Sequence, residues 1–293
     1  MNFMIGRSIP VLSRGKMMKE VLQVSADQPL IALASKIVYA QKPYWCNCTV
    51  RQLAMSFMKP RNYFPYDRPG TYPVLVFICG GGFQKQDINA FAPELAYFAK
   101  NGYAVACVGY STLPYTEHPE PLKEIKEAIR FLRAHAKEME IDPNKIAIAG
   151  ESAGGYLAAL AAVTVDDPDF MEGGNLDQSS AVQCAALWYP LSRMNAEHPK
   201  TAQTHGKLVV RTDNYPDILD FVTPQTVPMC MIHGILDNQV DYEHSVRLYE
   251  KLQKVGVDSD LYLIEGANHG DELTFQDTVK EKVLAFLNKA LHR

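Results

Sequence analysis

The chain has 293 residues, 47% of them hydrophobic and 21% charged, with a formal net charge of -4. That length carries a full core for one large domain and is short for two, and the composition is that of an ordinary globular chain. The slight acidity and the lack of a Lys/Arg cluster speak against a nucleic-acid partner, and no apolar run approaches the ~18 residues of a membrane span. The first stretch, MNFMIGRSIPVLSRGKMMKE, breaks its apolar patches at Arg7, Arg14 and Lys16, unlike a secretory leader. A cytoplasmic location without membrane attachment is therefore expected, with residues 1–30 as an N-terminal arm and 31–293 as a single domain.

In chain order, 34–40 and 49–57 read as two strands, expected to form an antiparallel pair. A proline-rich stretch follows, and then the rhythm changes. PVLVFIC (73–79) is a continuous apolar run, as suits a strand buried on both faces. The next elements alternate: helix 89–101, strand 103–109, helix 119–137, strand 145–150, helix 152–164, strand 181–189, strand 227–234, helix 240–256, strand 259–266 and helix 272–292. The helix at 119–137 sets Leu122, Ile125, Ile129, Leu132 and Ala136 on one stripe. Such alternation implies an α/β fold: a mostly parallel sheet with helices on both faces and an antiparallel N-terminal edge. Residues 165–180 and 190–226 lack a clean period and read as cap-like inserts over the carboxyl edge of the sheet, where ligands bind in such folds.

The motif GESAGG (150–155) lies between strand KIAIA and helix YLAAL. A serine on a tight strand-to-helix turn needs small neighbours, and the helix start aims free amides at whatever binds there. The plainer reading is a serine capping its helix; the glycines on both sides favour a nucleophile at Ser152. A serine hydroxyl needs a base. The last two strands are followed by Asp237 and His269, which gives the chain order Ser152, Asp237, His269 with all three at one edge. Asp241 is the rival for the acid and otherwise starts a helix. Among the other histidines, His233 reads as structural, while His198 and His205 fall in the second insert and are pocket candidates. Gly80-Gly81-Gly82 follows the first buried strand at the same edge, so the amides of Gly81, Gly82 and Ala153 are the candidate donors to an oxyanion. Phe83, Tyr156 and Trp188 are the candidate substrate-binding residues, with Tyr110, Tyr115 and Tyr215 as further aromatic candidates.

Six cysteines are present. Cys79, Cys107, Cys184 and Cys230 fall in strands expected to be buried, where a thiol serves as a small apolar residue. Cys46 and Cys48 form a C-x-C pair without the second half that a metal site requires. No metal site is expected, and the thiols fit a reducing compartment. Cys79 is an alternative nucleophile, disfavoured by its place at a buried strand end with no evident base.

The set C-G-G-G-F, Y-S-T-L-P…E-H-P, G-E-S-A-G-G, H-G-x-x-D-x-x-V and G-x-N-H-G, spread over 72–293, resembles the α/β-hydrolase-fold esterases, in particular the hormone-sensitive-lipase-like group and the acetyl- and feruloyl-esterase-like hydrolases. The resemblance implies the α/β-hydrolase fold and a serine carboxylic-ester hydrolase without metal or organic cofactor. Its nucleophile, acid and base fall on Ser152, Asp237 and His269, and its oxyanion glycines on Gly81 and Gly82. The partner implied is a small-molecule ester with a small or aromatic acyl group, acylated carbohydrates included; oligomeric state is not readable. Arylformamidase and peptidase chemistry on the same residues, and a silent hydrolase fold used for binding, are the alternatives. Two departures stand out. Cys79 takes the place of the histidine that usually opens the glycine motif, and Gly109-Tyr110-Ser111 replaces the frequent D-Y-R.

Overall fold

The computed structural model of the chain describes residues 21–25, 28–44, 46–61, 71–113, 115–116, 118–194 and 215–293. His198, His205, most of the second insert and most of the N-terminal arm lie outside the described residues. The strands are β1 Ile31–Tyr44, β2 Thr49–Pro60, β3 Tyr72–Ile78, β4 Ala104–Val108, β5 Ile141–Glu151, β6 Cys184–Trp188, β7 Met229–Gly234 and β8 Ser259–Ile264. The helices are α1 Ala92–Lys100, α2 Glu120–Ala134, α3 Ala136–Met139, α4 Ala153–Val163, α5 Glu243–Lys254 and α6 Asp277–Ala290.

The eight strands form one sheet in the order β1-β2-β4-β3-β5-β6-β7-β8. From β4 to β8 every pairing is parallel. β2 runs antiparallel to both β1 and β4, so the expected antiparallel edge comes from a single reversed strand. β2 meets β4 only over Met55–Met58, opposite Val108–Val105, while β1 and β2 stay paired out to Tyr44 and Thr49. The hairpin therefore overhangs the carboxyl ends of the parallel strands. Chain order reverses between β3 and β5: from β3 the chain passes to β4 on one side, and from β5 to β6 on the other. Such a switch point opens a crevice beyond the strand ends.

Period-two alternation sends each strand's residues to two separate cores. Val74, Val76, Ile78, Ile146, Ile148, Leu187 and Met231 pack with α2, α4 and α5 on one face. Leu75, Phe77, Cys107, Cys184, Trp188, Cys230 and Ile232 pack with α1 and α6 on the other. All four strand-region cysteines lie on this second face, and each is a buried free thiol. Burial at this level is worth roughly 1.5–3 kcal/mol for each large aliphatic side chain. The buried stripe of α2 is Leu122, Ile125, Ile129 and Leu132, as its spacing predicts. The helix expected over 119–137 breaks at His135 and restarts as α3, where Ala136 is buried. The helix expected over 272–292 begins as a 3-10 turn, Glu272–Phe275, with the Asp271 carboxylate accepting from Leu273 N–H at 2.9 Å, before α6 starts.

The first insert hangs from α2. Arg130 donates to the carbonyls of Gly174 (3.0 Å) and Glu172. Arg133 donates to those of Pro143 (3.1 Å), Ala181 (2.7 Å) and Ser179, and Lys126 to that of Thr164. Burial pushes the Lys126 amine down to about 8, against the pull of Asp166 and Asp167.

Candidate active site

Ser152 links β5 to α4 with φ 53° and ψ -122°, a sparsely populated backbone conformation for a residue with a side chain. The surroundings enforce it. Ser152 N–H donates to the Trp188 carbonyl at 3.0 Å, and Tyr156 N–H returns to the Ser152 carbonyl at 3.0 Å to start the helix. A Cβ at Gly150 would collide with the Gly154 carbonyl, and one at Gly154 with the carbonyls of Ile78 and Cys79. These glycines permit the close approach of β5, α4 and the end of β3 that turns the hydroxyl outward.

Beside the elbow, the chain leaving β3 runs through Gly81 (φ 80°), Gly82 (φ 61°) and Phe83 (φ 61°). Among the described residues, no acceptor lies on the amides of Gly81, Gly82 or Ala153. Gly80 differs: its N–H donates to Glu151 Oε1. The Tyr110 hydroxyl donates to the Cys79 carbonyl at 2.8 Å.

The acid and the histidine come from the loops after β7 and β8. His269 Nδ1 is 2.7 Å from Asp237 Oδ2, and His269 Nε2 is 2.9 Å from Ser152 Oγ. A carboxylate only accepts, so Nδ1 carries the proton and Nε2 is left to accept from the serine hydroxyl. Burial favours the neutral carboxyl of Asp237 and would raise its pKa. Hydrogen bonds from His233 and His269, the field of the His269 ring and the Val240 amide outweigh burial and hold the carboxyl well below the usual carboxylate range. The other oxygen, Oδ1, accepts from the amides of Gln239 (2.9 Å) and Val240 (2.8 Å). The Asp241 carboxylate instead accepts from Glu243 N–H at 3.1 Å, at the start of α5.

The structure thus brings Ser152, His269 and Asp237 into one chain of hydrogen bonds, with Ala153 directly after the serine and the glycine loop joined to the elbow through Gly80 and Glu151. It separates the aromatic candidates. Phe83 and Tyr156 are buried together with Tyr215, at ring separations of 6.2 Å for Phe83–Tyr156 and 4.9 Å for Phe83–Tyr215, next to the glycine loop. The expectation for Trp188 needs correction. Its ring is fully buried in the second core, stacked on Phe275 at 5.0 Å and donating its indole N–H to the Thr274 carbonyl at 3.0 Å. Only its backbone carbonyl reaches the elbow. Tyr115 is 67% exposed and pairs edge-on with Tyr44 of the overhanging hairpin. Cys79 is buried, and burial pushes its thiol well above the usual range.

Four contributors escaped the residue-by-residue reading. Tyr189, directly after β6, sets its ring 4.7 Å from that of His269. Asn268 Oδ1 accepts from the amides of His269 (2.8 Å) and Asn238 (3.0 Å), tying the two loops together. His233, read as structural, is buried with Nε2 3.0 Å from the Val240 carbonyl and 3.3 Å from Asp237 Oδ2. Glu151 precedes the serine. The motifs H-G-x-x-D, G-x-N-H-G and G-E-S contain three of the four, but nothing in the spacing shows which backbone groups those side chains reach.

A mostly parallel sheet with a serine elbow at its switch point, and with an acid and a histidine after its last two strands, is the α/β-hydrolase fold. The chain belongs to the BD-FAE family, whose model matches residues 62–252. Probable carboxylic ester hydrolase LipM of Mycobacterium tuberculosis is 31% identical over 202 residues, which are 64% of this chain and 47% of LipM. The chain spans about half the length of the curated relatives it matches. Esterase 2 of Thermogutta terrifontis, a thermophilic esterase, superposes with a TM-score of 0.70 at 28% identity over 87% of this chain and 91% of that one. The same esterase has been captured phosphorylated by paraoxon and with butyrate bound. A truncated carbohydrate esterase from gut microbiota shares the fold with a TM-score of 0.74 at 21% identity, over 89% of this chain and 97% of that one.

Proposed function

We propose that the protein is a serine carboxylic-ester hydrolase acting through an acyl-enzyme on small or aromatic acyl esters, acylated carbohydrates among them. The observation that carries this reading is the unbroken relay from Asp237 Oδ2 through the His269 ring to Ser152 Oγ, with spacings of 2.7 and 2.9 Å. Both are within the reach required for proton transfer. Its relatedness to LipM and to the Thermogutta esterase supports the same class.

His269 Nε2 takes the proton of Ser152 as Oγ attacks the ester carbonyl. The amides of Gly81, Gly82 and Ala153 stabilise the oxyanion that forms. The imidazolium then protonates the departing alcohol, and water activated by the same nitrogen releases the acid. Asp237 holds the tautomer and stabilises the cationic ring. The buried Phe83–Tyr156–Tyr215 cluster beside the glycine loop offers an apolar wall to a short acyl group.

The test is hydrolysis of p-nitrophenyl acetate and butyrate by the intact chain, with paraoxon as the covalent probe. Wild type should release a burst of p-nitrophenolate and take up one diethylphosphoryl group on the peptide containing Ser152. Ser152→Ala should lose turnover by about 10⁶ and stay unlabelled. Undiminished hydrolysis by Ser152→Ala would remove the assignment.

A further inference from the structure

We infer that Glu151 and Tyr110 are positioning residues that grip one peptide group, Cys79–Gly80, from its two ends and thereby set which amides of the glycine loop face the reacting oxygen. This rests on the serine-hydrolase reading above and deepens it.

The two contacts fall on the same planar unit. The carbonyl of Cys79 accepts from the Tyr110 hydroxyl at 2.8 Å, and the N–H of Gly80 donates to Glu151 Oε1. A peptide group held at both its C=O and its N–H cannot rotate about its flanking bonds without losing one of them. The grip is needed because the next residues have little of their own to hold them. Gly81 and Gly82 lack side chains and adopt φ of 80° and 61°, and glycine reaches the opposite sign of φ with similar ease. The local bond that turns the loop is Gln84 N–H to the Gly81 carbonyl at 3.1 Å, downstream of the peptide in question.

Both gripping side chains are well placed. Glu151 is 8% exposed and immediately precedes Ser152, so the elbow and the glycine loop share one rigid connection. A Cβ at residue 80 would lie 2.5 Å from the Glu151 carbonyl oxygen and 2.7 Å from Oε1, so the residue gripped has to be glycine. Tyr110 comes from the segment directly after β4, as the middle residue of Gly109-Tyr110-Ser111. Cys79 turns its thiol toward the carbonyls of Asp87 (3.8 Å) and Ile88 (3.7 Å), so its contact with Tyr110 is made by its backbone carbonyl. With the Gly80 amide committed to Glu151, the amides left for an oxyanion begin at Gly81. The carboxylate thus fixes the register of the donors without touching the substrate.

The experiment compares kcat and KM for p-nitrophenyl acetate in wild type, Glu151→Met, Glu151→Gln, Tyr110→Phe and the Tyr110→Phe/Glu151→Met double variant, with Ser152→Ala as the control on the underlying reading. Glu151→Met removes the acceptor at similar volume and should lower kcat roughly 10- to 100-fold with KM within about threefold, as a displaced donor does. Glu151→Gln keeps an oxygen for the Gly80 amide and should recover most of that loss. Tyr110→Phe should lower kcat in the same sense, and the double variant should be little slower than the slower single, because both act on one peptide. Losses that multiply, a change confined to KM, or Glu151→Gln as slow as Glu151→Met would overturn the inference, the last by assigning Glu151 to the charge on His269. If Glu151→Met does not fold, Tyr110→Phe decides alone, an unchanged kcat overturning the proposal. Activity surviving in Ser152→Ala is the separate outcome that removes the serine reading itself.

Discussion

Replacing Asp237 by Asn isolates what the buried acid does. Oδ1 is held by the Gln239 and Val240 amides at 2.9 and 2.8 Å, so an asparagine should keep its carbonyl oxygen there and turn its NH2 toward His269. The 2.7 Å contact with Nδ1 would then pair two donors, unless the ring shifts its proton to Nε2. That proton would face Ser152 Oγ across 2.9 Å and leave no base for the hydroxyl. A wrong tautomer of this kind costs roughly 10⁴ in kcat, or about 5.4 kcal/mol of transition-state stabilisation. The assay is kcat for p-nitrophenyl acetate, with Asp241→Asn as the comparison, since that carboxylate accepts from Glu243 N–H at the start of α5. Asp241→Asn should stay within about tenfold of wild type. A larger loss in Asp241→Asn than in Asp237→Asn would refute the reasoning.

The same carboxylate makes a prediction for stability. Its folded pKa is depressed, so its contribution is present in full above the unfolded value of about 4 and is lost as pH falls below it. The urea midpoint should therefore drop more steeply between about pH 5 and about pH 3 in wild type than in Asp237→Asn; equal slopes would contradict the shift. Asn268→Ala removes the bridge between the two loops and should lower kcat about tenfold while KM holds, read in the same ester assay. Trp188→Phe should lower stability by about 2–3 kcal/mol in urea unfolding, through the lost indole hydrogen bond and the void against Phe275, with KM unchanged. A marked rise in KM would return Trp188 to the pocket.

The fold was legible where burial is two-sided. β3, β4, β6 and β7 are short apolar runs, and chain order with strand ends was enough to bring Ser152, Asp237 and His269 to one edge. Legibility failed where exposure blurs the pattern. β1 extends at both ends beyond the expected 34–40, because its side chains are mostly exposed or half-exposed, and β2 runs three residues past the expected 49–57, through Met58-Lys59-Pro60, where the proline reads as a stop. β5 begins at Ile141 through Asp142-Pro143-Asn144, residues whose local chemistry reads as a turn. Trp188 shows a second limit: period two separates its face from that of Leu187, but it cannot say whether a ring at the strand end joins the core or lines the site. Glu151, Asn268 and Tyr110 act on backbone groups far along the chain, and that depends on where the loops travel rather than on the spacing of residue types.

The attachment of the first insert to α2 has a consequence for variation. Arg130, Arg133 and Lys126 grasp carbonyl oxygens, which every amino acid supplies, so the anchorage does not recognise which residues it holds. Gly173 is an exception, since a side chain there would strike the Glu127 carboxylate. Asp166, which gathers Ser179 and Ser180, is another. Asp167, whose carboxylate accepts from Asp169 N–H at 3.0 Å, Phe170, packed against the core and the His118 ring, and Asn175, at φ 53°, are fixed as well, which leaves 176–178 to change identity while the excursion keeps its path. A rigid helix thus carries a short rewritable tip, while Phe170, through the rings of His118 and Tyr215, ties the rest of the excursion to Phe83 beside the glycine loop.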